Sequence, residues 1–161
     1  MNQTHIHLLI THLPIFGSIL GALVLAHGIW TKSNQTKIAA YNLFIISAIG
    51  AGISYLTGEA AEETVENLPG VLEATMEAHE DFAVYALISL ITLGVASLIG
   101  LFLTLRKSEL TRTAATVILF ISLLSFGLVA RTGYLGGQIR HTEVSGASSN
   151  PAQNSESESD D

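Results

Sequence analysis

The sequence predicts an all-α fold: an integral membrane, antiparallel four-helix bundle with acidic helical extensions at its outer end. Three observations carry this. Four long stretches, Met1–Thr31, Ile38–Gly58, Phe82–Leu105 and Thr113–Ala130, hold no Asp, Glu, Lys or Arg. The chain is 48% hydrophobic and 13% charged, with a mean hydropathy of +0.46, whereas soluble domains carry about 25% charge. Basic residues gather in two short connections: Lys32 and Lys37 after the first stretch, and Arg106, Lys107 and Arg112 after the third.

Each stretch approaches or exceeds the roughly 20 residues a helix needs to cross about 30 Å of hydrocarbon. A chain in lipid must satisfy its own N–H and C=O groups, so the stretches are expected as helices. The first helix is expected over Ile6–Trp30. Its ninth residue is Pro14, which leaves the carbonyl of Ile10 without a donor. The second starts near Ile38, leaves the membrane near Tyr55 and continues through Glu59–Glu66 until Leu68-Pro69-Gly70 breaks it. The third restarts after Gly70, with Glu73, Glu77 and Glu80 ahead of its apolar span. The fourth covers Thr111–Arg131 and is expected to end by Gly133 or Gly136-Gly137. Trp30 and Tyr41 are assigned to the inner interface, and Tyr55, Tyr85 and Tyr134 to the outer one. Small residues at helical spacing (Gly17/Gly21, Ala48/Gly52, Gly50/Ser54, Ala96/Gly100) are read as packing faces.

Basic loops stay on the cytoplasmic side. The two basic connections therefore face inward, and both termini face outward with the connection Glu59–Asp81, which has eight acidic residues and no basic one. That makes the chain an expected multi-pass membrane protein with its short loops in the cytoplasm. Residues 1–145 form the transmembrane domain. Residues 146–161, rich in Ser, Asn, Glu and Asp, are expected to be a disordered tail. The N-terminus has no basic region or cleavage site of a signal peptide.

Cysteine is absent, which excludes disulfides, thiolate metal sites, iron–sulfur clusters and covalently attached haem. No phosphate-binding glycine loop or basic nucleic-acid surface occurs. No serine stands with a His and a carboxylate at a catalytic spacing. An electron-transfer or accessory subunit fits this inventory better than a stand-alone enzyme.

The chemistry-bearing residues are the histidines. Five of the six belong to the outer half: His5, His7, His12, His79 and His141. Arg131 and Arg140 lie at the same end against the charge rule. Neutral imidazole ligates haem iron and transition metals, and arginine forks suit haem propionates. His12, His79 and His141, with Arg131 and Arg140, are the candidate binders of a b-type haem. His7, Glu59 and His79 are the candidate ligands of a divalent metal ion. No Glu-x-x-His of the di-iron bundles is present. His27 has no inner-half partner and is read as a histidine bonded within the bundle.

Four segments together resemble one family: His7-Leu-Leu-Ile-Thr-His12-Leu-Pro14, Tyr55-Leu-Thr-Gly-Glu59, Leu68-Pro-Gly-Val71 with Ala78-His79-Glu80, and Gly136-Gly-Gln-Ile-Arg-His141. They are similar, in the same order, to small bacterial four-helix membrane proteins of unassigned function. Related domains occur joined to or near Rieske-type and cytochrome-like proteins, so the resemblance implies respiratory redox work. The expectation is a membrane redox protein holding a b-type haem or metal ion at its outer face and passing electrons to a membrane or periplasmic redox partner. Two rivals stand beside it: a divalent-metal-binding membrane protein using the acidic cap, and a cofactor-free assembly or scaffold subunit, which could be a homo-oligomer.

Overall fold

The computed structural model describes residues 3–65 and 73–140, and every element among them is helical. They are α1 (Gln3–Ile10), α2 (His12–Trp30), α3 (Asn34–Leu56), α4 (Gly58–Val65), α5 (Glu73–Leu105) and α6 (Thr111–Arg140). Four helices are long and apolar enough to cross a membrane: His5–Trp30, Asn34–Leu56, Glu73–Leu105 and Thr111–Ile139. The expected break at 68–70, the tail at 146–161 and His141 lie outside the described residues.

α1 and α2 are nearly one helix. Thr11 between them keeps helical dihedrals (φ −59°, ψ −25°), and its N–H reaches the His7 carbonyl at 3.0 Å. Pro14, one turn on, is buried. α3 starts on a side-chain cap, the Ser33 hydroxyl accepting from the Thr36 N–H. α5 ends in a double reverse bond, Lys107 N–H to the Thr104 carbonyl and Ser108 N–H to the Leu103 carbonyl. That is the Schellman arrangement, with Lys107 at φ 54° where glycine is usual.

The long helices form a ring of neighbours, α2 on α3, α3 on α5, α5 on α6 and α6 on α2. Contact at the first of these is backbone-close. A side chain at Gly17 would meet Ser47, at Gly21 the Phe44 ring and at Gly28 the backbone of Lys37, while Leu13 packs on Gly50. Gly94 faces Ala48 between α3 and α5, and Gly100 admits the Tyr41 ring. Leu25, Tyr41, Phe44, Leu90 and Leu93 fill the centre. Buried hydroxyls turn back on their own helices: Ser18 to Ile15, Ser47 to Leu43, Thr104 to Gly100 and Ser122 to Leu119. Ser125 instead donates across to the Ser89 carbonyl, tying α6 to α5.

Three expectations change. α6 does not stop at Gly133 or Gly136-Gly137 but runs on to Arg140; Gly133 lies against Ile15 and Gly136 against His79, so these glycines make room for neighbours instead of ending the helix. Tyr41 is fully buried and not interfacial. His27 points out of the bundle, edge-on to Trp30 at 6.4 Å, and has no bond within it.

The glycine contacts make a paired prediction. Gly21→Ala forces a methyl into the Phe44 ring and should destabilise by about 1–3 kcal/mol. Gly52→Ala, which meets nothing within 4 Å, should leave stability unchanged or raise it by about 0.5–1 kcal/mol. Thermal unfolding of the two variants in detergent checks the contrast.

Candidate functional site at the outer end

The site grows from the ends of the helices. α1 packs on α3 and on α4, which sets His7 against the place where α3 stops. Its Nδ1 lies 2.9 Å from the Ser54 carbonyl and 3.3 Å from the Thr57 hydroxyl. Thr57 is the C-cap of α3, and its hydroxyl donates back to the Ile53 carbonyl at 2.9 Å. Gly58 opens α4 alongside, where a Cβ would lie at an ordinary contact distance, 3.7 Å, from the His7 ring.

His79 lies on the second turn of α5, ahead of the charge-free span that begins at Phe82. It is partly buried against α6, with Nδ1 3.0 Å from the Thr132 carbonyl. A Cβ at Gly136 would come within 3.0 Å of its Cε1, so the glycine is the imidazole's seat.

Carbonyl oxygens accept and never donate. A ring nitrogen bonded to one must carry the proton, so His7 and His79 are both Nδ1–H tautomers when neutral. Each leaves Nε2 as a bare lone pair. Metal-ligating histidines are held in this way, the second nitrogen donating to a carbonyl or carboxylate. Burial pushes the His79 imidazole below its ordinary 6.5; the bond to Thr132 works the other way, nearby His7 adds to the lowering and Glu80 opposes it.

The other candidates are distributed as follows. His12 is exposed; its Nδ1 bonds the Leu8 carbonyl of its own turn at 3.0 Å and its ring stacks on Phe16. It is not turned toward the α5–α6 seat that holds His79. Arg131 is exposed, its guanidinium 5.6 Å from the centre of the Phe82 ring and 5.5 Å from that of Tyr134. Arg140 closes α6, and His141 lies outside the described residues. Glu59 is exposed in the first turn of α4, next to the glycine that touches His7. Among the described residues no three of His, Cys, Asp and Glu come together as a metal site. The structure thus sets His7 against the end of α3 and His79 against α6. The sequence groups these two with Glu59 as candidate metal ligands; its other grouping, of His79 with His12, rests on depth, which does not say which way a side chain points.

No family model, curated protein or solved structure matches the chain.

The seat of His79 makes two predictions. Gly136→Ala should displace the imidazole and lower the melting temperature, whereas Gly137→Ala, with nothing within 4 Å, should not. The folded protein favours neutral His79 more than the unfolded chain does. Its contribution is thus complete above pH 6.5 and is lost as pH falls below that value. The difference in melting temperature between the native chain and His79→Gln should shrink on acidification from pH 7.5 to 5, measured side by side in one detergent.

Proposed function

We propose that the chain is a multi-pass protein of the bacterial cytoplasmic membrane, folded as an antiparallel four-helix bundle with both termini outside. We infer that it is a redox protein in which His7 and His79 hold haem iron or another transition-metal ion at the outer end. One observation carries the reading: two imidazoles from different helices, each with its Nδ1–H committed to a carbonyl and its Nε2 free.

The rest of the inventory supports it. The register of α2 on α3, in which Leu13 meets Gly50 and Gly28 meets Lys37, is that of helices running in opposite directions. Lys32, Lys37, Arg106, Lys107 and Arg112 all lie toward one end, which orients that end to the cytoplasm. A donor set of two imidazoles without a third protein ligand suits haem iron, whose other four positions belong to the porphyrin. A bare ion needs more donors; Glu80 follows His79 in the chain, and Glu59 follows the glycine beside His7. The core between the long helices is filled, so the centre belongs at the bundle end, within reach of a periplasmic redox partner. Bound there, the metal supplies one-electron exchange. The protein's part is to orient both Nε2 atoms and, at His79, to keep the imidazole unprotonated. The ordered motifs that resemble the redox-linked membrane family point the same way.

A cofactor-free assembly subunit has its own support. The bonds His7–Ser54 and His79–Thr132 tie α1 to α3 and α5 to α6, and half-buried Gly52 and exposed Gly127 have nothing within 4 Å of where a side chain would stand, as a helix-docking face would. Spectroscopy separates the readings. The protein purified from haem-supplemented cells should show a reduced-minus-oxidised α-band, or stoichiometric metal by elemental analysis. Either should be lost in His7→Gln and His79→Gln and kept in His27→Gln. Neither signal in the native chain removes the redox reading and leaves the assembly subunit.

Topology has a direct test because the chain lacks cysteine. Glu63→Cys should react with an impermeant maleimide on intact spheroplasts, and Glu109→Cys only after lysis. The reverse pattern inverts the assignment.

A further inference from the structure

At the end opposite the histidines the two short turns enclose a cleft of about 370 Å³, lined by Ile29, Lys32, Asn34, Lys37, Lys107, Ser108, Glu109, Thr111 and Arg112. Four of the nine are cations and one is a carboxylate. Lys37 is 5% exposed, and its Nζ finds only the Asn34 Oδ1, at 3.2 Å. Among the described residues no ion pair engages Lys32, Lys107 or Arg112.

Helix geometry adds to the positive field. α3 and α6 both begin here, and Asn34, Lys37, Thr111 and Arg112 belong to their first turns. The N-terminal end of a helix carries roughly half a positive charge and favours anions. Placing Lys37 and Arg112 in those turns sets like against like. The backbone is also used against its preference. Lys32 (φ 56°) and Lys107 (φ 54°) occupy left-handed positions that end α2 and α5, which disfavour any residue with a side chain. A buried ammonium, two helix starts facing cations and two lysines where glycine is easier all become favourable once an anion occupies the cleft. A scatter of positive charge that only orients a membrane protein requires neither burial nor convergence.

We propose that this cleft binds a phosphate group, presented by the headgroup of an anionic phospholipid at the inner surface or by free phosphate. Lys37 and Arg112 hold it from the two helix starts, Lys32 and Lys107 from the two turns, and Ser108 and Thr111 offer hydroxyls. Glu109 sets the limit on how much negative charge is accepted.

The test uses the full chain in a neutral detergent, with melting temperature followed against added phosphatidylglycerol, phosphatidylcholine and inorganic phosphate. Phosphatidylglycerol should raise the melting temperature where phosphatidylcholine does not. Inorganic phosphate that protects as well as the lipid assigns the cleft to the free ion; phosphate that protects only weakly assigns it to the headgroup. Arg112→Gln and Lys107→Gly should each weaken the protection roughly fivefold in ligand concentration. Lys107→Gly should do so while raising the melting temperature in detergent alone, since glycine relieves the left-handed turn; a structural role for Lys107 could not give that pair of signs. Arg106→Gln, whose guanidinium stacks on Phe102 outside the cleft, should change nothing. Equal protection by phosphatidylcholine, or equal loss in Arg106→Gln and Arg112→Gln, overturns the proposal.

Discussion

The close approach of α2 to α3 governs what happens at both ends of the molecule. Glycines at 17, 21 and 28 let Ser47, Phe44 and the backbone of Lys37 come against α2. Helices that are apolar on every side gain little from burying one face instead of another, so van der Waals contact has to choose the register. Once chosen, it carries consequences in both directions. At one end α3 finishes at Leu56, with the Ser54 carbonyl and the Thr57 hydroxyl opposite His7. At the other, the short turn Thr31–Ser33 puts Lys32 and Lys37 on one side of a cleft. A slip of one residue in this contact would move Phe44 off Gly21 and disconnect both sites together.

The two ends are electrostatic opposites built with the same economy. Glu59 and Glu73 stand in the first turns of α4 and α5, where carboxylates agree with the helix dipole. At the cleft, cations stand in the first turns of α3 and α6, where they oppose it. One end is therefore at ease without a ligand and offers neutral imidazoles. The other holds unsatisfied positive charge. A neutral donor pair suits a metal, whose own charge makes the bond, while converging cations suit an oxyanion. On the proposed readings, coordination chemistry and charge neutralisation lie at opposite ends of the bundle, one helix length apart.

How much of this was legible follows from what hydropathy encodes. The charge-free stretches located all four long helices, and the Gly17/Gly21 and Ala96/Gly100 spacings marked faces that do pack. The extension of α3 into α4 was legible from the Glu59, Glu62 and Glu63 run. What hydropathy does not encode is azimuth. In an apolar helix the inward and outward sides differ by size, not polarity. His12 and His27 were therefore placed by depth and turned out to face away from the core, while Tyr41 looked like a belt residue and is buried. Gly133 and Gly136 looked like helix stops because a glycine's reason for being small is a neighbour, here Ile15 and His79, that local sequence does not show. His7 and His79 were grouped with Glu59 as metal ligands, while His79 also stood with His12 and His141 as a haem binder.

The two roles open to those histidines are not exclusive, and their chemistry says why. An Nδ1–H bond to a carbonyl holds one helix to another, which is a packing function. The same bond fixes the tautomer and aims Nε2, which is what a ligand requires. Packing alone asks only for a donor at that point, and a glutamine amide or a serine hydroxyl would supply one. Imidazole is an expensive way to meet that need at His79, because burial there works against its protonated form and the seat demands a glycine across the interface. Gly136 makes sense as an accommodation to the ring's breadth. A residue whose size forces a concession on the opposing helix, and whose second nitrogen meets no partner among the described residues, fits the proposed role of a ligand as well as the packing bond its first nitrogen makes.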